Sequence, residues 1–272
     1  MWPFATSALR VSDGALSVVD EGDGVPLLFV HGTPTWSFEW RHALGALSAS
    51  RRVMAFDHLG LGLSDRPASA SYTPEAHAAR FREAIDQLVP NESLDIVVHD
   101  FGGPIALDWI LDIASRVRHL VIVNTWMWPF DDDPLMARRA RMASGVLGRL
   151  LYRYGNASLK LIMPSAYGDR RKLTPAIHAE YLRRFPDADS REHVLLGSSA
   201  FDASPWSRRE RLREIPMTIA WGVEDSAFTL PVLHRWAQTF PHAHVHRFAG
   251  AGHWPHEEAP AEFVALLRSR LG

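Results

Sequence analysis

Short apolar, β-branched runs recur along the chain at Gly14 to Val19, Val25 to Val30, Arg52 to Phe56, Leu94 to Val98, Leu120 to Asn124, Met217 to Trp221 and Ala243 to Phe248. Each has the length of a strand. Stretches with helical spacing lie between most of them, near Phe38 to Leu47, Pro74 to Val89, Pro104 to Ala114, Pro231 to Thr239 and Pro260 to Leu271. This alternation predicts an α/β fold, a mostly parallel sheet with helices on both faces. Glu21-Gly22-Asp23-Gly24 joins the first two runs and predicts an amino-terminal hairpin between them. The rhythm breaks between Trp128 and Pro205, where helical segments are punctuated by Pro134, Pro164, Pro175 and Pro186 and no strand pattern is present. Residues 128–205 therefore read as an inserted helical cap, on a core domain made of 1–127 and 206–272. Insertions after the C-terminal end of a strand lie over the crevice where open α/β sheets bind ligands.

A chain of 272 residues is the size of one large α/β domain or a domain with an insertion, and it is ample for a full core. The absence of cysteine excludes disulfides, thiolate metal sites and cysteine nucleophiles. The net charge of -2 comes from 29 basic and 31 acidic residues that are largely interspersed, which argues against a nucleic-acid or membrane-surface role. Arg138, Arg139, Arg141, Arg149 and Arg153 form a local basic cluster, joined later by Arg170, Arg171 and Lys172. Their helical spacing beside Leu147, Leu150 and Leu151 suggests a solvated helix face. Met1-Trp2-Pro3-Phe4 lacks the pattern of a secretory signal, and no run approaches a membrane span, so a soluble, cytoplasmic protein is expected. His242, His244 and His246 alternate and share one face of a strand. A hydrated edge strand accounts for them, and no metal is expected.

Candidate chemistry collects where strands end. Val97-Val98-His99-Asp100-Phe101-Gly102-Gly103-Pro104 runs from a strand through a turn into a helix, the pattern of a nucleophile elbow, with Asp100 at the apex where a serine is usual. A carboxylate attacks carbon without prior deprotonation and gives a covalent ester. An aspartate capping the following helix suits the same position. His31-Gly32-Thr33-Pro34 offers the Thr33 N–H to a developing oxyanion, with the Phe101 N–H as second donor, or is an ordinary Gly-Pro turn. Ala251-Gly252-His253-Trp254 places His253 on a Gly-flanked loop after the last strand, where a general base belongs. In Trp221-Gly222-Val223-Glu224-Asp225, Asp225 is the candidate to orient that imidazole, since the end of the preceding strand carries Asn124. Asp57 to Asp65 reads as a structural loop beside the site, because its spaced glycines lack the rest of a dinucleotide fingerprint.

Together these segments resemble the α/β-hydrolase fold and, within it, the haloalkane dehalogenase family. His31 to Phe38 with Trp40-Arg41, the loop Asp57 to Asp65, the elbow His99 to Gly103, Asn124 and the segment Trp221 to Phe228 carry the similarity. The resemblance implies a cofactor-free reaction on a small hydrophobic substrate: Asp100 displaces halide from an alkyl carbon, and water activated by His253 hydrolyses the ester. The chain departs from the family at the halide site. The usual tryptophan after the nucleophile is Phe101 and the usual asparagine of the His-Gly motif is Thr33, neither of which has an N–H side chain. Trp36, Trp126 and Trp128 are the candidate indole donors, and core packing accounts for them equally well. Three alternatives share the motifs: an epoxide hydrolase using two of Tyr152, Tyr154, Tyr167 and Tyr181, a β-lactone decarboxylase, and a catalytically silent scaffold that binds a ligand or partner.

Overall fold

The computed structural model describes residues 2–197 and 204–272. Eight strands form one sheet: β1 (Ser7–Val11), β2 (Gly14–Glu21), β3 (Pro26–Val30), β4 (Arg52–Phe56), β5 (Leu94–His99), β6 (Val117–Val123), β7 (Met217–Gly222) and β8 (His244–Phe248). Their order is β1-β2-β4-β3-β5-β6-β7-β8. The pairs β1·β2 and β2·β4 are antiparallel and all others are parallel.

The continuous apolar runs are explained by burial of both faces of the sheet. Leu28, Ile96, Leu120 and Met217 sit side by side in register and enter one half of the core, beneath α2 (Pro74–Leu88), α3 (Gly102–Asp112) and α9 (Leu230–Thr239). Their neighbours Phe29, Val97 and Val121 enter the other half, covered by α1 (Arg41–Leu47) and α10 (Pro260–Leu271). Burying each such side chain is worth about 1.5–3 kcal/mol, so the central strands hold their register strongly.

The expected hairpin between the first two apolar runs is not formed. β4 lies between β2 and β3, and the hairpin partner of β2 is β1, one turn earlier. β3 is buried along its whole length and belongs in the middle of the sheet, whereas β2 is half-exposed and suits a position near the edge. Between β6 and β7 the described residues contain helices and no strand, among them α4 (Pro134–Ser144), α5 (Val146–Gly155), α6 (Met163–Ala166), α7 (Pro175–Leu182) and α8 (Ala188–Gly197). Pro134 and Pro175 open helices capped by Asp133 and Thr174, so these prolines start elements rather than break them. No helix among the described residues is long and apolar enough to cross a membrane.

Candidate active site

Five loops leave the C-terminal ends of β3, β5, β6, β7 and β8 and bring Thr33, Asp100, Asn124, Asp225 and His253 together. Asp100 has φ +49°, a conformation that residues with a Cβ seldom adopt. Three contacts hold it there: its carbonyl accepts from Gly103 N–H (3.1 Å) and the Thr125 hydroxyl (2.5 Å), and its N–H donates to Asn124 O (3.3 Å). Helix α3 begins after Phe101 with no side-chain cap, so Asp100 does not serve as a helix cap. The turn tolerates only glycine at its close approaches. A Cβ on Gly32 would stand 2.3 Å from Asp100 Oδ1, and one on Gly103 2.2 Å from Thr125 Oγ1.

The Asp100 carboxylate is held at both oxygens. Oδ1 accepts from Thr33 N–H at 2.9 Å, while Oδ2 lies 3.4 Å from His253 Nε2. Of the two expected oxyanion donors, Thr33 N–H is thus engaged, whereas Phe101 N–H makes no hydrogen bond to the carboxylate and its ring lines the cavity. His253 Nδ1 is 2.8 Å from Asp225 Oδ2, and His253 N–H donates to Ala166 O at 2.8 Å, tying the loop to α6. Asp225 is fully satisfied: Oδ1 accepts from Ala227 N–H (2.6 Å) and Oδ2 also accepts from Asn124 Nδ2 (2.8 Å). Asn124 clamps the β7 end through Gly222, accepting from its N–H (2.9 Å) and donating to its carbonyl (3.2 Å). Burial disfavours charge on His253, but the attraction of Asp225 and the hydrogen bond to Asp100 outweigh it and push the imidazole up to about 10.

Beneath this line lies a buried chain. Glu39 bonds His99 Nδ1 at 3.1 Å, and His99 Nε2 bonds the His253 carbonyl at 2.9 Å. His256 approaches the same Glu39 oxygen at 3.9 Å, so Glu39, His99 and His256 form a group of potential metal ligands. Both ring nitrogens of His99 are already spent on hydrogen bonds, which suits support of the His253 backbone rather than a metal. β8 begins at His244, so His242 lies on the turn before the strand, and the three histidines go to separate partners: His242 to Ile215 O, His244 to Arg270 and His246 to Glu262.

Over Asp100 opens a cavity of about 560 Å³. Phe101, Trp126, Phe130 and Phe228 form its aromatic floor, and α4, α5 and residues 157–166 supply the far wall. Of the three expected indoles only Trp126 lines it, packed between Phe130 (4.7 Å) and Phe228 (5.1 Å). Trp36 is buried elsewhere, stacked on Phe38 at 5.4 Å with the Arg184 guanidinium 4.7 Å away. Trp128 packs on Trp206 and Trp236 under Arg235. Both went to core packing because their neighbours in space are aromatic, which adjacency in sequence did not reveal. The Asp57 loop is structural as expected: the carboxylate accepts from Ser37 N–H (2.8 Å), Ser37 Oγ (2.6 Å) and Leu63 N–H (2.7 Å).

Residues 25–260 match the family model described as alpha/beta hydrolase fold. Haloalkane dehalogenase 2 of Mycobacterium tuberculosis is 33% identical over 281 residues, spanning 100% of this chain and 96% of that protein. The chain belongs to the α/β-hydrolase family, in its haloalkane dehalogenase branch. A cis-3-alkyl-4-alkyloxetan-2-one decarboxylase of Shewanella oneidensis is 30% identical, covering 98% of this chain and 88% of that protein. The crystal structure of haloalkane dehalogenase DatA from Agrobacterium tumefaciens C58 superposes with a TM-score of 0.79 at 24% identity, over 97% of this chain and 95% of that one, which bears on the fold alone.

Within this hydrolase frame, one cavity residue escaped the sequence reading, and one of the four candidate tyrosines reaches the cavity. Trp254, next to His253, lines the cavity, and its buried Nε1 has no hydrogen-bond partner among the described residues. Its adjacency to the candidate base was the available signal. Tyr152 on α5 also lines the cavity, and burial together with the charge of Asp100 pushes its phenol up to about 12. Tyr167 and Tyr181 are occupied instead, both donating to Glu257, and Tyr154 is exposed. The pair of tyrosines expected of an epoxide hydrolase is therefore not assembled around Asp100.

Proposed function

We propose that this protein is a dehalogenase-like hydrolase in which Asp100 opens an alkyl electrophile and His253 drives hydrolysis of the resulting ester. The observation that carries the reading is the line Asp100, His253, Asp225 at 3.4 and 2.8 Å, facing an apolar cavity of about 560 Å³. With Oδ1 bound by Thr33 N–H, Oδ2 is left to attack carbon. The C–Oδ2 bond forms as the carbon–halogen bond breaks, and the bonding pair leaves with the halide. Alkylation turns one of the two anionic partners of His253 into a neutral ester. The imidazole then loses part of what holds its proton and becomes a competent base. Water adds to the Asp100 carboxyl carbon, His253 takes its proton, and the Thr33 N–H stabilises the oxyanion, a contact worth about 2.7–4 kcal/mol in comparable sites. Collapse releases the alcohol and restores the carboxylate. Residues 128–205 act as a cap that excludes water and shapes the cavity.

Phe101 and Thr33 favour a second reading, since neither offers a side-chain N–H to a halide. Attack of Asp100 on the sp³ ring carbon of a β-lactone expels a carboxylate that carries its charge away covalently. Loss of CO₂ from that carboxylate forms the alkene and returns the Asp100 carboxylate without water. The two readings part at His253. Intact mass of His253→Ala after exposure to bromoalkanes, epoxides and β-lactones tests both. A trapped alkyl increment that is absent in Asp100→Asn is expected for a dehalogenase. Undiminished β-lactone turnover in His253→Ala supports the decarboxylase. No adduct, together with no turnover of the panel by the wild type, refutes both.

A further inference from the structure

Nine of the eleven exposed large apolar side chains among the described residues fall between Leu135 and Ile162. They centre on α5, which has no buried residue. Val146, Leu147, Leu150, Leu151 and Tyr154 occupy a single face of that helix, with Val146 81%, Leu147 70% and Tyr154 65% exposed. Tyr152 projects from another side and lines the cavity. Met142, Leu151, Leu161 and Ile162 are at once exposed and part of the cavity wall, so the apolar surface runs into the cavity mouth. No described residue covers it. A patch of this kind on a monomer marks an interaction surface.

The segment that carries this surface is cationic. Residues 134–162 contain six cationic side chains and no Asp or Glu, in a chain whose net charge is -2. Arg149 and Arg153 pair with Glu192, and Arg139 donates to Ala227 O. Arg138, Arg141 and Lys160 have no ion-pair partner among the described residues. The basic cluster is therefore not only a solvated helix face: the apolar positions between the arginines point outward.

From the exposed apolar face of α5, the unpaired cations Arg138, Arg141 and Lys160 of the same segment and the continuity of the face with the cavity mouth, we infer that this face docks on an anionic lipid surface. A helix that is apolar on one side and basic at its margins, lying in the interface plane, binds by burying the apolar face while its cations meet the headgroups. A second copy of the chain is the poorer occupant. A two-fold interface would set the unpaired Arg138, Arg141 and Lys160 of each copy against one another, and the nearby acids Glu192 and Asp189 are already engaged by Arg149 and Arg153. Docking there places the cavity mouth against the phase in which an apolar substrate concentrates.

Flotation with phosphatidylglycerol–phosphatidylcholine vesicles, compared with phosphatidylcholine alone, tests this without reference to turnover, so it stands apart from the proposed reaction. The wild type is expected to float with the anionic vesicles at low salt and to be released as salt rises. Arg138→Glu/Arg141→Glu and Val146→Asp/Leu147→Asp are each expected to lower partitioning at least about tenfold, with the melting temperature unchanged because all four side chains lie outside the core. Failure of the wild type to float overturns the inference, as does binding unaffected by both variants. Equal binding to neutral vesicles overturns the anionic assignment. A concentration-dependent dimer that Val146→Asp/Leu147→Asp dissolves, without flotation, assigns the patch to self-association instead.

Discussion

Asn124→Asp exchanges one atom and isolates the electrostatics of the site. The Asn124 amide donates to Asp225 Oδ2 at 2.8 Å and to Gly222 O at 3.2 Å, while its oxygen accepts from Gly222 N–H. The shape is unchanged in the variant, so no cavity or overpacking confuses the result. An ionised Asp at this place stands about as far from Asp225 as the amide does. Two like charges at that spacing repel by about 6 kcal/mol at an effective dielectric near 20. Holding a proton from a group whose unfolded pKa is near 3.9 costs about 4 kcal/mol at pH 7, which is less, so the folded variant keeps the proton. A protonated Asp donates to Asp225 or to Gly222 O, not both, and forfeits about 1 kcal/mol more.

The folded pKa is raised above the unfolded one, so the folded variant binds the extra proton and its stability falls with pH. The deficit against the wild type should be about 1 kcal/mol near pH 4. It should grow by about 1.4 kcal/mol per pH unit and level off near pH 8, where ionisation becomes the cheaper state. Urea midpoints of both proteins across that range measure it. A variant within about 1 kcal/mol of the wild type at pH 7, or a deficit independent of pH, would refute the reasoning and the contact on which it rests.

Gly103→Ala should destabilise by about 1–3 kcal/mol, because the new methyl meets Thr125 Oγ1 at 2.2 Å and outweighs the gain of about 1 kcal/mol in helix propensity; a neutral or stabilised urea midpoint contradicts the elbow geometry. The folded pKa of His253, about 10, lies above its ordinary 6.5. Its stabilising contribution should be complete below pH 6.5 and disappear as pH rises through about 10, read as the wild type minus His253→Gln difference in stability, and a flat difference denies the ionic contact with Asp225.

Much of the site was legible because its parts are tied to strand ends. An Asp, a Gly-flanked His and a second Asp each follow an apolar run, and a parallel sheet aligns the C-terminal ends of its strands, so Asp100, Asp225 and His253 meet. Groups that arrive from the helical segment carry no such signal. Tyr152 is one of two aromatics on α5, and which of Tyr152, Tyr154, Tyr167 and Tyr181 reaches the cavity over Asp100 depends on how the helices lie over the sheet. The same limit applied to the tryptophans: Trp126 and Trp128 are two residues apart, yet one lines the cavity and the other packs on Trp206 and Trp236.

By itself the sequence determined the α/β alternation, the elbow with its small neighbours and the chain order Asp100, Asp225, His253 at successive strand ends, because each rests on local periodicity or on a turn that only certain residues permit. Tertiary structure alone decided that β4 would separate β2 from β3, that His99 and Glu39 would brace the His253 backbone, and that the apolar face of α5 would be left outside. Those outcomes depend on which surfaces compete for burial against one another. A face that is apolar in sequence is buried only if another element arrives to cover it, and around α5 no described residue does.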